Sequence, residues 1–393
     1  MHNRGMGTWL LGATMAAALA AVVPLSASAA EVKIGVTISQ TGPAASLGIP
    51  EAQTLTLVPK EVDGVKLKYI VLDDATNPTH AVQNFQQLTS DDGVDVVLGS
   101  STTPTSLAML NTAEKTKTPM ITIAPFLHAG EAIKGPLKWA FQSPQRIGSM
   151  AKLTVEAMRK QHVKTLGFIG FSDAYGQDWL DVMRRDIEGT GIKLVDVERF
   201  ARNDTSVTGQ ALKLVAANPD AILIAASSSP SVLPQQALKR SGYKGHIYQT
   251  FGSANTSVLN LCGADCNGML LAAGPVLVAE QLEQSNPVRK PAMEYKTLYE
   301  DKYGKNTVSE FGSNMWDSVH LVMHAIPVAL KTGAKPGTEQ FRVAMRDAIE
   351  ATHDLPLSGG VFNFSPTYHS GPNQHDAVML EAVDGHWKYR PDL

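Results

Sequence analysis

The stretch VDVVLGSSTTPTSLAML, residues 94–110, contains one complete structural unit of the chain. Its apolar start predicts a buried strand, Val94–Leu98, and the 3.6-residue spacing that follows predicts a helix, Pro104–Thr116. Glycine and four hydroxyl residues lie between them, and Pro104 falls in the first helical turn, where a proline is tolerated. A strand that leads directly into a helix is half of a β-α-β unit. The stretch therefore predicts an α/β fold with parallel strands.

Strands and helices alternate on both sides of this unit, in two series. The first series consists of strands Val32–Ser39, Val65–Leu72, Val94–Leu98 and Met120–Ala124 and helices Pro78–Ser90 and Pro104–Thr116. The second consists of helices Pro144–Gln161, Tyr175–Gly189, Ser206–Ala217 and Ser231–Ser241 and strands Thr165–Gly170, Ile192–Phe200, Ala221–Ala226 and His246–Thr250. Because each series has its own strands, we expect each to form its own parallel sheet in its own lobe.

The last third of the chain has helical patterns with no strands between them. The helices are Pro287–Tyr303, Phe311–Lys331 and Thr338–Ala351, and two strand-like runs follow at Gly360–Phe364 and Asp376–Tyr389. Such helices must pack on sheets built elsewhere. We therefore expect the chain to return to the first lobe near Gly274-Pro275 and to add its end to the second lobe near Leu355-Pro356.

With a first exit near Phe141–Pro144, the chain is expected to cross between the lobes three times. Three crossings make a hinge with a cleft, because the lobes can rotate but cannot separate. The predicted lobes are residues 31–143 with 275–354 and residues 144–274 with 355–393.

The composition is that of an ordinary globular protein, and it excludes several classes of partner. The 393 residues are 44% apolar and 18% charged, which excludes a disordered, collagen-like or coiled-coil chain. The 34 basic and 37 acidic side chains give a formal charge of −3, without the Lys/Arg cluster that nucleic acids or anionic membrane surfaces require. We therefore expect no nucleic acid partner.

The first thirty residues have the order of regions typical of a secretory signal peptide. A charged start precedes an apolar run over residues 9–23, and small residues follow at 26–30. A membrane anchor is the alternative, but this run has only about 15 residues where a membrane span needs about 20. We predict that residues 1–30 form a signal peptide, that the mature chain begins at Ala30 or Glu31, and that it is exported without membrane insertion.

The chain has two cysteines, Cys262 and Cys266. In an oxidising compartment an even count predicts one disulfide, here closing a short loop. A metal site is the alternative, but two sulfurs without a neighbouring histidine do not make a tetrahedral ligand set.

Ligands of open parallel sheets bind beyond the carboxyl ends of the strands, where loops and helix starts meet. Hydroxyl groups and backbone N–H groups at the start of the helix Pro104–Thr116 suit a carboxylate, although each hydroxyl by itself can be an ordinary helix cap. Aromatic residues on the neighbouring loops add apolar walls, so we expect a small-molecule site. The side chains expected to line it are Ser101, Thr102, Thr103, Phe126, His128, Tyr175, Ser228 and Phe251.

Several short segments occur in a characteristic order along the chain. They are VKIGV (32–36), TGP (41–43), LDDATNP (72–78), VVLG (96–99), DAYG (173–176), MWDS (315–318) and LSGG (357–360). In this order, and behind a signal peptide, they resemble the periplasmic solute-binding proteins of branched-chain amino acid ABC importers, the leucine/isoleucine/valine-binding family. The resemblance covers essentially the whole predicted mature chain.

For the fold, the resemblance implies two Rossmann-like lobes of the type I periplasmic binding protein class on a three-crossover hinge. Such a protein closes on its ligand, needs no cofactor and presents the closed form to a membrane permease. The segment Gly48–Val62 is ambiguous, because Pro50 and Pro59 interrupt what this family would make one long helix.

The resemblance also assigns ligand contacts. The family's carboxylate-holding hydroxyl corresponds to Thr103 or its neighbours Ser101 and Thr102. The other contacts correspond to Phe126, His128, Tyr175 and, on the helix that returns to the first lobe, Phe311.

Two positions depart from the amino-acid-binding members of the family. Phe251 stands where those members have a glutamate that pairs with the ligand's ammonium group, and Leu47 replaces a first-loop tyrosine. An ammonium group buried without an anionic partner would cost several kcal/mol. We therefore predict a hydrophobic or aromatic monocarboxylate as the ligand, with a branched-chain amino acid as the alternative.

Two other classes of function remain to be compared. The segment Gly170–Ala174 resembles the nucleophile elbow of a hydrolase around Ser172, but it lacks the final glycine of that motif. A ligand-sensing adaptor of a chemoreceptor would use the same fold for a different task. We expect a transport protein and no enzyme.

Two residue patterns could suggest a metal ion. His320 and His324 are four residues apart on a predicted helix, but no acidic third ligand follows at a suitable spacing. An Asp73-Asp74 pair before Asn77-Pro78 more often caps backbone groups than binds a cation. We predict no metal and no other cofactor.

Overall fold

The computed structural model describes residues 30–127, 132–373 and 376–393. The predicted signal peptide, apart from Ala30, and the predicted contact His128 lie outside the described residues. Within those ranges, none of the helices combines the length and the apolar character that a membrane crossing requires.

The strands form two large sheets and one small hairpin. The first sheet has the order β2-β3-β1-β4-β5-β6 and consists of β1 (Glu31–Ile38), β2 (Glu61–Val62), β3 (Val65–Asp73), β4 (Val96–Leu98), β5 (Met120–Thr122) and β6 (Ala140–Gln142). The second has the order β15-β14-β11-β10-β9-β7-β8 and consists of β7 (Thr165–Phe171), β8 (Lys193–Phe200), β9 (Ala221–Ala225), β10 (His246–Gln249), β11 (Leu270–Ala273), β14 (Val378–Val383) and β15 (His386–Tyr389). The hairpin pairs β12 (Leu355–Pro356) with β13 (Val361–Phe362).

Helices connect the strands of each sheet and fill the last third of the described chain. They are α1 (Ala45–Thr54), α2 (Pro78–Ser90), α3 (Thr103–Thr116), α4 (Ile147–Lys160), α5 (Ala174–Ile187), α6 (Thr208–Ala217), α7 (Val232–Arg240), α8 (Thr256–Cys262), α9 (Arg289–Tyr303), α10 (Glu310–Leu330) and α11 (Glu339–Glu350). We call the first sheet with α1, α2, α3, α10 and α11 the first lobe, and the second sheet with α4 to α8 the second lobe. The two-lobed α/β prediction is confirmed.

The end of the chain differs from the predicted parallel arrangement. The run Asp376–Tyr389 is two strands, because Asp384 and Gly385 both have positive φ angles and form a two-residue hairpin turn. These strands join the second sheet antiparallel, through the pairing of β14 with β11. The run Gly360–Phe364 contains β13, which pairs with β12 in a separate hairpin, and the assignment of this run to the second lobe stays a prediction.

The ambiguous segment after β1 contains helix α1 in spite of Pro50. A proline inside a helix removes one backbone hydrogen bond. Helix α1 is held by its packing against α10, and the Thr54 hydroxyl donates to the carbonyl of Pro50 at 2.8 Å. Tertiary contacts, and not the local sequence, therefore make this segment helical.

The chain passes between the two lobes three times, because α10 and α11, which follow β11 and precede β14, pack on the first lobe. Polar contacts hold the crossings together. Gln145, after the first crossing, donates to the carbonyl of Gly359 at the third, at 2.6 Å. Gly274, at the second crossing, donates its N–H to Glu310 Oε1 at 2.8 Å. Asp317 accepts the N–H of Gly359 at 2.7 Å. The exact residues that divide the lobes stay a prediction.

Candidate functional site

The loops at the carboxyl ends of β1 and β4 are tied together by Asp74. Its carboxylate accepts the hydroxyls of Ser39 at 2.7 Å and Ser100 at 2.5 Å. Its neighbour Asp73 accepts the N–H groups of Gln40 and Ala75 at 2.9 and 2.8 Å. The aspartate pair therefore bonds to backbone and hydroxyl groups, and it positions the first lobe's side of the cleft.

The three predicted hydroxyls at the start of α3 are buried and have partners within the first lobe. Thr102 caps the helix and bonds to the Thr105 hydroxyl at 2.7 Å. Thr103 donates to the carbonyl of Pro125 at 2.8 Å. Ser101 accepts the N–H of Ser39 at 2.9 Å. These bonds hold the start of α3 rigidly at the carboxyl end of β4.

Ser101 has a second partner that sequence reasoning missed. Its hydroxyl lies 2.5 Å from Oε2 of Glu51, a residue of α1. Glu51 is fully buried, and its burial raises the pKa of the carboxyl to about 8. Its other oxygen, Oε1, has no hydrogen-bond partner among the described residues. The sequence did not predict this carboxyl because α1 was left unassigned. In a helix, Glu51 lies one turn after Leu47 and therefore on the same face, which is the signal that could have identified it.

The predicted aromatic residues of the second lobe and α10 form one cluster. The rings of Tyr175 and Phe251 are 6.0 Å apart, and those of Phe251 and Phe311 are 5.9 Å apart. The Tyr175 hydroxyl donates to the Thr250 hydroxyl at 2.8 Å, and burial raises the pKa of Tyr175. Leu47 belongs to the same buried apolar cluster. The contact between Phe251 and Phe311 joins the second lobe to the helix that packs on the first.

Phe126 lies elsewhere. Its ring belongs to a separate apolar cluster of the first lobe, which includes Phe85 and Met109. Its backbone N–H donates to Gln142 Oε1 at 3.1 Å. The structure therefore does not bring Phe126 into the aromatic cluster, and its contact with a ligand stays a prediction.

The lobes also meet through two serine side chains. Ser46 of α1 and Ser228, in the loop after β9, are 2.5 Å apart between their hydroxyl oxygens. This pair borders a groove of about 490 Å³ between the lobes. The groove is lined by residues 42, 43, 45 and 46 from the first lobe and by residues 202–205 and 228–230 from the second. The cleft that the hinge predicts is thus present at this edge of the molecule.

A second buried carboxyl near the aromatic cluster was also missed. Glu310 precedes Phe311 at the start of α10, and its burial raises the pKa to about 8. Its Oε2 has no hydrogen-bond partner among the described residues. Further along α10, burial raises the pKa of Asp317 to about 7. Asp317 lies within the MWDS segment, but that segment does not reveal its burial, and no motif marks Glu310, so packing identifies both buried acids.

The features that suggested other chemistry have structural roles. Ser172 is exposed, while the adjacent Asp173 caps α5 and forms an ion pair with Arg202 at 2.5 Å. The ring of His320 packs at an angle against that of Trp316, with ring centroids 4.2 Å apart, and burial lowers the pKa of His320. Over the described residues no group of three histidine, cysteine or acidic side chains is arranged to hold a metal ion. Cys262 and Cys266 form a disulfide.

Comparisons with solved structures and with known sequences each find relatives that match most of this chain. A solved structure of an extracellular ligand-binding receptor from Rhodopseudomonas palustris HaA2 has a TM-score of 0.88 and 42% identity, and the match covers 92% of this chain and 99% of that one. The Leu/Ile/Val-binding protein homolog 3 of Brucella melitensis is 24% identical over 350 residues, 87% of this chain and 89% of the relative.

A third comparison concerns the fold. The solute-binding protein of an ABC transporter from R. palustris, solved in complex with benzoate, has a TM-score of 0.75 at 17% identity and is covered over 95% of its length by 91% of this chain. The family model described as periplasmic binding protein matches residues 31–386. Because this match covers most of the sequence, the chain belongs to the periplasmic binding protein family, whose members are extracytoplasmic proteins that bind small solutes.

Proposed function

We propose that this chain is the periplasmic substrate-binding component of an ABC importer and that it captures a small hydrophobic or aromatic monocarboxylate. The observation that carries the proposal is the meeting of two surfaces between the lobes. One is the start of α3 with its buried hydroxyls, and the other is the ring cluster of Tyr175, Phe251 and Phe311. Helices α3 and α5 contact each other across the lobes, which supports a site between the two surfaces.

The chemistry of each surface suits one end of such a ligand. A helix start carries backbone N–H groups that have no partner within the helix, so it favours a carboxylate. The aromatic cluster favours an apolar or aromatic body, because rings pack edge to face or offset against one another. A benzoate complex is known for a protein of the same fold, and at 17% identity that likeness concerns the fold. The choice of ligand therefore rests on the residues of this chain.

Ligand capture needs no bond-making step. The ligand first meets the start of α3 on the first lobe, and Tyr175, Ser228 and Phe251 then close over it as the hinge bends. Closure shifts the population towards the closed form by no more than the ligand's preference for that form. The closed form is the one that a membrane permease receives.

A branched-chain amino acid is the second candidate, and the buried carboxyls Glu51 and Glu310 favour it. Each has an oxygen without a hydrogen-bond partner among the described residues, and an ionised carboxylate in either place would pair with the ammonium group of the ligand. The Brucella relative is described as a Leu/Ile/Val-binding protein homolog. For a zwitterion to bind, however, a buried carboxyl whose pKa is about 8 must first lose its proton.

Equilibrium titration decides between the candidates. Protein that has been unfolded, dialysed free of ligand and refolded is titrated with benzoate and with leucine by calorimetry at pH 7. We expect benzoate to bind and leucine to bind more weakly or not at all. Tight binding of leucine alone would refute the monocarboxylate. Mass spectrometry of the small molecule that co-purifies from the periplasm identifies the natural ligand independently.

A further inference from the structure

Glu51 lies directly behind one of the predicted ligand hydroxyls. Its Oε2 is 2.5 Å from Ser101 Oγ, and the N–H of Ser39 donates to the same Oγ at 2.9 Å. Glu51 is fully buried and its Oε1 has no hydrogen-bond partner among the described residues. The role of Ser101 towards a ligand therefore depends on the state of Glu51.

The hydrogen-bonding capacity of the serine hydroxyl makes this dependence definite. A hydroxyl has one hydrogen to donate and two lone pairs to accept with. The N–H of Ser39 occupies one lone pair of Ser101. If Glu51 is ionised, it can only accept, so the hydrogen of Ser101 is committed to Glu51. If Glu51 is protonated on Oε2, the oxygen beside Ser101, its O–H fills the second lone pair of Ser101, and the serine hydrogen is released for another acceptor.

We propose that Glu51 is a proton-dependent specificity residue that selects anionic ligands. When protonated, it lets Ser101 donate a hydrogen bond to the ligand carboxylate. When ionised, it withdraws that hydrogen and repels the carboxylate. The proposal rests on the proposed function and deepens it, because it explains how a cleft with a buried acid accepts an anion. Binding of a monocarboxylate above the titration of Glu51 is then coupled to the uptake of one proton.

The groups around Glu51 keep it protonated at neutral pH. Burial is the largest cause of its raised pKa, the hydrogen bond from Ser101 lowers the pKa in part, and Asp74 at the loop after β3 raises it further. Helix α10, which packs against α1, carries the acids Glu310 and Asp317, and both are themselves buried. Helix α9 presents Tyr295, whose hydroxyl lies 2.8 Å from that of Thr54 on α1. None of these groups carries a positive charge, so none of them forms an ion pair with an ionised Glu51.

Calorimetric titration with benzoate between pH 6 and pH 9.5 tests the proposal. We expect the affinity of the wild-type protein to be constant at low pH and to fall above about pH 8, approaching tenfold for each pH unit because one proton is taken up. Titration at pH 9 in buffers of different ionisation enthalpy should report that proton directly.

Variants locate the effect. Glu51→Gln keeps a neutral donor beside Ser101, so we expect affinity near the low-pH wild-type value with no fall at high pH. Ser101→Ala should bind benzoate weakly at every pH. Asp95→Asn is the matched control, since Asp95 is a buried acid of the same lobe with a raised pKa, bonded to Lys33 and Gly337 at the opposite end of β4. This control should keep the wild-type pH profile.

Each other outcome is decisive. If benzoate binds equally well from pH 6 to pH 9.5, or if Glu51→Gln still loses affinity at high pH, the role of Glu51 is wrong while the proposed function stands. If leucine binds and its affinity rises with pH, Glu51 is a partner for an ammonium group and the proposal is overturned. If benzoate does not bind at pH 6, the monocarboxylate ligand itself is refuted.

Discussion

Ser46 Oγ and Ser228 Oγ are 2.5 Å apart, and the two serines belong to different lobes. Ser46 lies in the first turn of α1, the helix that also carries Leu47 and Glu51. Ser228 lies in the loop after β9 and has a φ angle of +60°, a backbone conformation that few residues other than glycine adopt. A bond between these side chains can form only while the lobes are together, so it stabilises the closed form specifically.

Removing this bond should speed ligand release. A hydrogen bond of this kind contributes about 0.5–1.5 kcal/mol, so we expect Ser46→Ala to weaken affinity roughly two- to tenfold. The loss should lie mainly in the dissociation rate, because the bond forms after the ligand has entered. Stopped-flow displacement of bound benzoate measures that rate.

Ser229→Ala provides the control for this experiment. Ser229 is exposed and adjacent to Ser228, so its truncation alters the same loop without the contact between lobes. Its release rate should equal that of the wild-type protein. If Ser46→Ala also releases ligand at the wild-type rate, the serine pair does not stabilise the closed form.

The start of α3 should dominate affinity for the carboxylate. The double variant Ser101→Ala with Thr103→Ala removes two buried hydroxyls, and hydrogen bonds to a charged group contribute about 1.5–3 kcal/mol each. Thr103 already donates to the carbonyl of Pro125, so its contribution to ligand binding is smaller than that range. We therefore expect the double variant to lose roughly 1–3 kcal/mol of binding free energy in total. Calorimetry with benzoate at pH 7 measures it.

A control variant at the other end of the same helix distinguishes an effect on ligand binding from an effect on the stability of α3. Thr116 donates to the carbonyl of Thr112 at 2.8 Å in the last turn of α3. Thr116→Ala should leave affinity unchanged. An affinity of the double variant within twofold of the wild-type value would place the carboxylate anchor elsewhere.

Local signals made most of the α/β alternation predictable. The predicted helix Pro78–Ser90 has the observed bounds of α2, because Asn77 caps it through the N–H of Thr79 and a proline occupies its first position. Strand β11, by contrast, was missed. Its four residues, Leu270–Ala273, are strand only through pairing with β10 and β14, which lie far away in the chain. Short central strands depend on partners that a local pattern does not contain.

In the site, too, features with a local signal were predictable and features that depend on packing were not. The loops after the strands could be placed from the sequence, and Tyr175, Phe251 and Phe311 do lie against one another. The buried carboxyls could not, because Glu51 lies on a helix interrupted by Pro50 and its burial comes from packing. That omission mattered, since the absence of an anionic partner for an ammonium group was inferred from Phe251 and Leu47 alone.

The buried acids should make the protein less stable as the pH rises. The pKa values of Glu51 and Glu310 are raised to about 8 and that of Asp317 to about 7, whereas in the unfolded chain these groups titrate near pH 4. Between these limits the folded state binds more protons than the unfolded state. The free energy of unfolding therefore falls with increasing pH, by up to about 1.4 kcal/mol per pH unit for each group.

Thermal unfolding from pH 5 to pH 9 measures this dependence. We expect the midpoint to fall across the range, and Glu310→Gln to reduce the slope because one titrating group is gone. Asp73 is a carboxyl whose pKa is lowered by its hydrogen bonds, so it titrates below this range, and Asp73→Asn should keep the wild-type slope. A midpoint that is constant from pH 5 to pH 8 would show that the buried carboxyls are ionised throughout.

The disulfide between Cys262 and Cys266 should stabilise one loop and leave the fold intact without it. The bond closes a ring of about five residues after α8, for which loss of chain entropy in the unfolded state gives about 2 kcal/mol. The double variant Cys262→Ser with Cys266→Ser should lower the free energy of unfolding by about that amount in urea denaturation. Wild-type protein in excess reductant should match the variant, since both lack the same bond. Benzoate affinity should stay within twofold in both, because none of the residues proposed to hold the ligand lies in this loop. If reduction unfolds the protein instead, the bond holds more of the second lobe than its own loop.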